Sequence, residues 1–301
     1  MRILNRLIVG VMPFVPKPIV RKVSARYVAG ESLAEAAEVT ARLNEKGACA
    51  TLDVLGEFIS TQDEARRAAD EYIETLDLIA EKKLDANVSL KLTHMGLLLD
   101  KEFCYENVRR IVEAAKGHGN FVRIDMEDSP VTSDTLALYR RLRGDFDNVG
   151  FVIQAYLRRS LADLIAMRDL EPSVRVCKGI YVEPRAIAFK QRDVIVQNFG
   201  LLIEELITHN GYVGIATHDE HVVWEALRLL YQHDVPKDRY EFQMLLGVDH
   251  ELRDILLGEG HKVRMYIPFG RSWYAYSMRR LKENPTIAWY VTKNMFRRSP
   301  R

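Results

Sequence analysis

A regular alternation of short apolar segments with longer amphipathic ones constrains the fold of this chain more than any other feature. From about residue 48 onward, runs of apolar and β-branched residues recur, and each is followed by a stretch with helical periodicity. Such alternation indicates a parallel sheet, because parallel strands are joined by crossovers that usually contain a helix. Eight segments are predicted as strands: residues 48–55, 87–92, 120–125, 148–154, 173–177, 212–216, 240–244 and 263–267.

Eight strand and helix units favour one fold class. They occupy roughly 220 residues, which suits an α/β fold of the (β/α)8 TIM-barrel type, whereas a doubly wound open sheet usually has about six strands. Residues 48–301 are therefore predicted to form one catalytic barrel. Residues 1–47 are predicted to be helical additions before it, and a last helix follows about residue 284. The predicted connecting helices span residues 61–82, 105–115, 133–142, 160–168 and 192–208, with Ser60, Thr61 and Ser160 as caps.

The charge balance and the cysteines limit the partners and the compartment. With 43 basic and 42 acidic residues the formal net charge is +1, so the chain as a whole has no electrostatic basis for binding nucleic acid. Cys49, Cys104 and Cys177 are odd in number and far apart, without a C-x-x-C pair. This pattern favours a reducing cytoplasm.

The N-terminal segment, residues 1–15, joins two arginines to an apolar run. It has no signal-peptide cleavage site and is far shorter than the roughly 20 apolar residues that a spanning helix needs. Its apolar residues are near helical spacing, and two interpretations stay open. The favoured one is a helix that packs on the main domain or on a second subunit of a homo-oligomer; the other is a peripheral contact with the inner face of a membrane.

Polar residues recur at the carboxyl ends of the predicted strands, where the catalytic groups of a barrel gather. Any one of them could be a surface charge or a salt bridge at the barrel rim. Their recurrence at nearly every strand predicts an active site at one mouth of the barrel. They are Asp53, Glu57, Lys91, Asp125, Gln154, Arg175, Lys178, Thr217, His218, Gln243 and Tyr266.

Common signatures of other site types are missing or incomplete. No G-x-G-x-x-G follows a strand, no G-K-[ST] loop exists, and there is no serine elbow. The cluster His218 to His221 does not have the H-E-x-x-H spacing of a zinc site and has no third ligand at a useful spacing, so we expect no metal. Asp125, Glu127 and Asp128 could bind magnesium, but salt bridges to arginines at the same mouth are the simpler use.

Seven strings in this chain resemble the proline dehydrogenase family. They follow the order of that family, one per strand, from residue 52 to residue 284. Each string alone is weak, but the ordered series, which ends in paired arginines with Glu283 and Asn284, is specific. The strings are LDVLGE (52–57), SLKLT (89–93), RIDMED (123–128), VIQAY (152–156), RVCKGIY (175–181), ATHD (216–219) and YAYSMRRLKEN (274–284).

The resemblance implies a fold and a reaction. It implies a distorted (β/α)8 barrel that binds FAD without a covalent link and oxidises L-proline to 1-pyrroline-5-carboxylate by hydride transfer to flavin N5. It also implies that the electrons pass to a membrane quinone. We therefore expect a monofunctional bacterial flavoprotein that carries out the first step of proline catabolism.

The family's pattern assigns three cations to the proline carboxylate: Lys91, Arg279 and Arg280. Two guanidinium groups and an ammonium would neutralise and orient a small anion. Arg279 and Arg280 are adjacent on a predicted helix, so a ligand at the flank of that helix could contact both.

Three further residues match the family near the substrate. Tyr266 matches a tyrosine whose ring packs on the substrate ring. Asp125 matches an acid that supports the arginine and lysine charges. Glu57 matches a gate acid that pairs with the first arginine when the site closes.

The resemblance also implies which residues bind the flavin. A cation such as Arg175 or Lys178 beside the flavin ring would stabilise its reduced anionic form, and Gly179 would let the backbone approach the cofactor closely. Ile180 and Val182 depart from the residues of many relatives, which bears on flavin packing and substrate preference. The cofactor-binding residues implied are Gln154, Arg175, Lys178, Gly179, Tyr181, Thr217, His218, Gln243 and Glu283.

Two other functions stay open from the residues alone. Lys91 and Lys178 both follow predicted strands, so a Schiff-base aldolase that uses either lysine is the main enzymatic alternative. The second alternative is a barrel without activity that serves as a binding module. The ordered strings argue against both, because they extend to positions that neither function requires.

Overall fold

The computed structural model describes residues 20–21, 24–56 and 59–283, with the backbone alone for residues 279–283. Eight parallel strands form a closed barrel in chain order, and β1 pairs with β8 to complete it. The predicted (β/α)8 barrel is confirmed, and every predicted strand forms. The strands are β1 (Cys49–Val54), β2 (Ala86–Leu90), β3 (Val122–Ile124), β4 (Val149–Gln154), β5 (Ser173–Cys177), β6 (Tyr212–Ala216), β7 (Tyr240–Leu245) and β8 (Val263–Phe269).

Helices alternate with these strands. A short 3-10 helix, Arg168–Leu170, precedes β5, so the helix predicted over residues 160–168 ends earlier than expected. The predicted N-terminal segment of residues 1–15 and the predicted helix after residue 284 lie outside the described residues. Within the described ranges the α-helices are α1 (Leu33–Asn44), α2 (Gln62–Glu81), α3 (Lys101–Gly117), α4 (Ser129–Arg143), α5 (Ser160–Ile165), α6 (Arg192–Thr208), α7 (Glu220–Gln232), α8 (His250–Gly258) and α9 (Trp273–Glu283).

Two helices depart from a regular barrel. Helix α1 precedes the barrel in sequence but packs across the outer face of β1 and β8, where the helix after the last strand belongs in a regular (β/α)8 barrel. The helix that does follow β8 is α9, and its Tyr276 packs against Val28 and Leu55. Because Leu55 directly follows β1, α9 begins beside the carboxyl end of the barrel.

The predicted helix caps are partly confirmed. Thr61 caps α2 in a reciprocal capping box, in which Glu64 N donates to Thr61 Oγ1 (3.3 Å) and Thr61 N donates to Glu64 Oε2 (3.0 Å). Ser60 adds a bond to the same carboxylate (2.7 Å) but is not the cap itself. The cap prediction for Ser160 is wrong, because its hydroxyl donates to the carbonyl of Gln154 (2.6 Å) and so anchors the loop after β4.

The apolar core lies between the strands and the helices. Alternate strand residues face outward, as Phe151 of β4 does when it packs on Tyr139 of α4 with ring centroids 4.5 Å apart. Leu52, Tyr72 and Phe242 are likewise fully or almost fully buried in this layer. Burial of apolar area in this layer is the main source of stability that the structure shows.

The inside of the barrel, by contrast, is polar. Barrel interiors of this type are usually filled by branched apolar side chains. Here the strand register brings the alternate, inward residues into contact with one another, as at Ser89 opposite Arg123. The buried polar residues of the lumen are Thr51, Asp53, Asn87, Ser89, Arg123, Gln154, Arg175, Glu241, Gln243 and Arg264.

Glycine makes room for one of these long side chains. Arg123 crosses the lumen to donate to the carbonyls of Phe151 (3.0 Å) and Ser173 (2.6 Å). Its path passes Gly150, the residue opposite it on β4. A Cβ at Gly150 would lie 2.4 Å from both Arg123 Nη1 and the carbonyl oxygen of Ser173.

We expect Gly150→Ala to destabilise the chain by about 1 to 3 kcal/mol, because a backbone carbonyl cannot rotate away from the added methyl group as a side chain could. Gly117→Ala is the matched control, since apart from its chain neighbours and the nearby backbone of its own helix no atom lies within 4 Å of the Cβ it would add. Urea unfolding of both variants measures the difference. Equal stability of the two variants would show that the lumen tolerates the added volume.

Candidate active site

A lysine between two carboxylates marks the mouth of the barrel. Lys91 follows β2, and its Nζ donates to both oxygens of Asp53 on β1, at 2.9 and 3.0 Å. Asp125, which follows β3, lies 3.6 Å from the same ammonium. Asp53 is fully buried. The sequence places all three residues at predicted strand ends but predicts no role for Asp53.

Asp125 is the most highly connected group at the mouth. Its Oδ1 accepts from Ser89 Oγ (2.7 Å) and from Arg175 Nη1 (2.6 Å). Its Oδ2 accepts from the hydroxyl of Tyr266 (2.8 Å). The guanidinium of Arg175 also lies over the Tyr266 ring, 5.2 Å from its centroid. The structure therefore brings Lys91, Asp125, Arg175 and Tyr266 into one cluster.

The charges of this cluster follow from burial and pairing. Burial raises the pKa of Asp53, and the ammonium of Lys91 only partly offsets this effect. Burial also acts on Asp125, but the nearby Arg175 and Lys91 outweigh it and lower the pKa. Burial and the carboxylates of Asp125 and Asp53 hold the pKa of Tyr266 well above its usual value, so this residue stays a neutral phenol.

Lys91 is unsuited to attack a carbonyl. Burial lowers the pKa of its ammonium, but the carboxylates of Asp53 and Asp125 outweigh burial, and the net pKa is raised. A Schiff base requires the neutral amine, whereas this environment stabilises the charged form. The geometry of Lys91 is that of a fixed cation.

A second group of charges lies at the start of α7. Lys178 Nζ and Arg192 Nη2 both donate to Asp219 Oδ2, the latter at 2.6 Å. Burial opposes ionisation of Asp219, but the hydrogen bonds and charges of Lys178 and Arg192 together outweigh it and lower the pKa to about 2. Because the N-terminus of a helix also favours anions, this corner of the mouth suits a phosphate group.

Thr217 and His218 hold the loops beside that corner. Thr217 Oγ1 accepts from Asp219 N (3.0 Å), and His218 Nε2 accepts from Leu245 N (2.9 Å). Burial lowers the pKa of His218, so its ring is neutral at pH 7 and acts as a hydrogen-bond acceptor at Nε2. Both side chains bond to backbone within the chain.

Gln154 and Glu127 form a buried link at the carboxyl ends of β3 and β4. Gln154 Nε2 donates to the backbone carbonyl of Glu127 (2.8 Å), whose carboxylate accepts from Thr93 N (3.0 Å) and Thr93 Oγ1 (2.5 Å). The three acids considered for magnesium therefore do not converge. Within the ranges described above, no group of three or more His, Cys, Asp or Glu side chains could hold a metal ion.

The loop after β5 has a structural need for its glycine. Gly179 has φ +101°, and a Cβ there would lie 2.2 Å from the ring of Tyr156. Packing on Tyr156 thus requires glycine even without a cofactor. Beyond it, Tyr181 is half-buried, while Ile180 and Val182 are exposed, Val182 by 98%.

Glu183, for which the sequence predicts no role, anchors this loop. Its carboxylate accepts from the backbone N (2.7 Å) and the hydroxyl (2.8 Å) of Ser129 at the start of α4. The N-cap residue of α4, Asp128, makes no capping bond of its own. No local spacing could reveal this contact, because the two residues are 54 positions apart.

Some predicted site residues lie beyond what the structure describes. Glu57 is outside the described residues, and so are the side chains of Arg279, Arg280 and Glu283, although the backbone of these last three belongs to α9. In the described part of the chain, no helix has the length and apolar character needed to cross a bilayer.

Comparison with known proteins gives one consistent family. Residues 36–292 match the sequence profile described as Proline dehydrogenase. The chain is 38% identical over 273 residues to Proline dehydrogenase 1 of Bacillus subtilis (strain 168), covering 91% of this chain and 90% of that protein. It is 37% identical over 277 residues to Proline dehydrogenase of Deinococcus radiodurans, covering 90% of this chain and 89% of that protein.

A solved structure shares the fold. Proline utilization A (PutA) from Bdellovibrio bacteriovorus, inactivated by N-propargylglycine, superposes with a TM-score of 0.81 at 23% identity. The match covers 86% of this chain but 32% of that one, so this chain corresponds to about a third of the longer protein. At this identity the likeness concerns the fold.

We expect Lys91→Met to cost about 3 to 5 kcal/mol of unfolding free energy at neutral pH, because it leaves Asp53 buried without its cation. The matched control, Lys101→Met, removes an exposed lysine that pairs with Asp134 at 2.6 Å and should cost no more than about 1 kcal/mol.

The stability that Lys91→Met loses should depend on pH. In the Lys91→Met variant the folded chain holds a proton on Asp53 that the unfolded chain releases above about pH 4. Because the pKa of Asp53 is raised in wild type and rises further without Lys91, the deficit relative to wild type is smallest at low pH and grows as the pH rises through the pKa of Asp53 in the variant. Urea unfolding at about pH 5 and pH 8 measures this; a deficit that does not change with pH would contradict it.

Proposed function

This chain belongs to the proline dehydrogenase family, and from that premise we propose how its residues carry out the reaction. It is an enzyme that oxidises proline, the first step of proline catabolism. The aldolase alternative is not supported, in keeping with the stabilised ammonium of Lys91. The observation that carries the proposal is the cluster of Lys91, Asp125, Arg175 and Tyr266 at the mouth of the barrel.

We propose that Lys91 binds the carboxylate of L-proline together with Arg279 and Arg280 of α9. Lys91 is held in place by Asp53, so little side-chain entropy remains to be lost when the substrate binds. Tyr276 places the start of α9 beside the carboxyl end of β1, which supports a location of the arginine pair near Lys91. Three cations in one place would orient a small anion firmly.

We propose that Asp125 and Tyr266 shape the rest of the substrate site. Asp125 fixes Arg175 and Tyr266 by direct hydrogen bonds, so it acts as a support for the groups around the substrate. The Tyr266 ring would then pack on the pyrrolidine ring of proline. Glu57 would pair with Arg279 and close the site, which excludes water from the reacting atoms.

The donor set at the mouth fits FAD. Arg175 Nη2 makes no hydrogen bond with the described residues, so its N–H groups would be available to an acceptor on the flavin ring. Lys178, beside Asp219 at the N-terminus of α7, would bind a phosphate. The further residues proposed to hold the cofactor are Gln154, Gly179, Tyr181, Thr217, His218, Gln243 and Glu283.

Bound FAD would supply the acceptor for the hydride that leaves the carbon beside the ring nitrogen of proline, giving 1-pyrroline-5-carboxylate. The chain's own contribution is to orient the substrate, to hold positive charge at Arg175 and to exclude water. Neither Lys91 nor Tyr266 is suited to remove a proton, since their environments stabilise the ammonium and the phenol. Hydride transfer requires the amine of proline to be neutral when the hydride leaves.

We propose a quinone as the electron acceptor and the cytoplasm as the location. The ordered family strings support the acceptor, and the three dispersed cysteines support a reducing compartment. Contact of the chain with a membrane surface or with a second subunit would involve residues 1–15.

We expect purified protein to carry one FAD per chain, released by heat or acid because it is not covalently bound. Chromatography of the released cofactor and turnover of proline with an artificial electron acceptor are the measurements. FMN, or folded protein that neither binds flavin nor oxidises proline, would contradict the proposal and favour a binding module.

We expect Tyr266→Ser to lower the efficiency with proline but to raise the ratio of hydroxyproline to proline oxidation. The phenol occupies space that a ring hydroxyl would need, and one such contact discriminates by about 1 to 3 kcal/mol. Tyr266→Phe is the control, because it keeps the ring and removes only the hydroxyl, which donates to Asp125 and accepts from Lys91. Single-turnover flavin bleaching with each substrate gives the ratio; an unchanged ratio in Tyr266→Ser would place the ring outside the substrate pocket.

A further inference from the structure

A chain of hydrogen bonds runs through the lumen from Arg264 to the mouth. Arg264 Nε and Gln243 Nε2 both donate to Glu241 Oε1, at 2.8 and 2.6 Å. At the other end of the amide, Gln243 Oε1 accepts from Arg175 Nε. Arg175 Nη1 then donates to Asp125 (2.6 Å). Glu241 is thereby connected to the mouth without contacting it.

The charged residues in this chain of hydrogen bonds fix the orientation of the Gln243 side-chain amide. Burial opposes ionisation of Glu241, but Arg264 outweighs it and lowers the pKa to about 2, so the carboxylate is ionised and can only accept. Arg175 can only donate. The amide of Gln243 therefore has one orientation in which both contacts are hydrogen bonds. If it were flipped, it would direct an NH2 group at Arg175 and an oxygen at the carboxylate.

The lumen is shaped around this link. Gly214 lies opposite both Arg175 and Glu241 in the strand register. A Cβ there would lie 2.5 Å from Gln243 Nε2 and 3.5 Å from the Cα of Arg175. The end of this chain of hydrogen bonds that lies away from the mouth is also anchored, since Arg264 Nη1 donates to the carbonyl of Ala50 (2.6 Å).

We propose that Glu241 is a positioning residue that acts through Gln243 to hold the guanidinium of Arg175 at the mouth. This inference rests on the proposed function, in which Arg175 faces the flavin. It gives Gln243, proposed above among the cofactor-binding residues, a supporting role beneath Arg175. Two anchors, Gln243 at Nε and Asp125 at Nη1, leave Nη2 pointing in one direction.

The first test is Glu241→Gln in the FAD-loaded enzyme. An amide at position 241 can both donate and accept, so Gln243 loses its single orientation and Arg175 loses a fixed anchor. We expect kcat to fall about tenfold, the KM for proline to change less than about threefold, and the flavin absorption spectrum to shift. A purely structural role would lower the melting temperature but leave kcat per bound flavin and the spectrum unchanged, and that outcome would overturn the proposal.

The second test exchanges the two side chains, Glu241→Gln with Gln243→Glu. A carboxylate at position 243 can accept from Arg175 through either oxygen, so the anchor of Arg175 no longer depends on the residue at position 241. The lumen charge is unchanged, so we expect kcat to recover to within about threefold of wild type. Failure of the exchange to rescue an impaired Glu241→Gln variant would overturn the role of the amide orientation.

Two further variants test whether the loss of kcat comes from the link through Gln243. Lys262→Gln is the matched control, because Lys262 contacts the other oxygen of Glu241 (3.4 Å) but is itself half-exposed, so kcat and the spectrum should not change. Gln243→Leu keeps the pair of Glu241 with Arg264 and removes only the link. It should reproduce the loss of kcat even if Glu241→Gln does not fold.

The failure of this inference can be told apart from failure of the proposed function. Wild-type protein that neither binds FAD nor oxidises proline would overturn the proposed function. Active wild type with an unaffected Glu241→Gln variant would overturn only the inference. The NMR resonance of the Arg175 Nε–H group needs no flavin: it should shift in Glu241→Gln and stay unchanged in the Lys262→Gln control.

Discussion

The partly buried carboxylate of Asp125 is the group on which the rest of the candidate site depends. It accepts hydrogen bonds from three side chains that come from three different strands or strand ends: Ser89, Arg175 and Tyr266. In a medium of low dielectric a lone carboxylate would be costly, and each donor that offsets this cost is itself fixed in return. The position of the proposed substrate and flavin contacts therefore follows from satisfying one buried charge.

The same constraint extends through the lumen. Arg123 is a buried cation that donates to backbone carbonyls, and burial lowers its pKa to about 9. Glu241 and Arg264 form a buried ion pair in the same lumen. Such a lumen adds little to stability compared with an apolar one, since the cost of removing charges from water cancels much of their attraction. The apolar layer around Phe151 and Tyr139 carries the stability, and the lumen is left free to hold chemistry.

The positions of α1 and α9, which depart from a regular barrel, bring a helix to the mouth. Helix α1, from the N-terminal addition, covers the seam between β1 and β8. The helix after β8 is therefore not needed on the outside, and α9 begins instead beside Leu55, where Tyr276 packs. This exchange explains how a chain can bring a helix with two arginines to the carboxyl end of its strands without leaving the barrel wall exposed.

Much of this architecture was determined by the sequence itself. The periodicity of apolar residues places all eight strands, because alternation along a strand and helical spacing are local properties. Strand ends also identify Lys91, Asp125, Arg175 and Tyr266, since parallel strands converge at one mouth. What only the tertiary structure decided are pairings between distant positions: Glu183 with Ser129, Gly150 with Arg123, and the amide of Gln243 between Glu241 and Arg175. Even Ser160, which the sequence predicts as a helix cap, donates instead to the carbonyl of Gln154. The physical reason is that a hydrogen bond across the lumen depends on barrel register and side-chain length, which no spacing along the chain encodes.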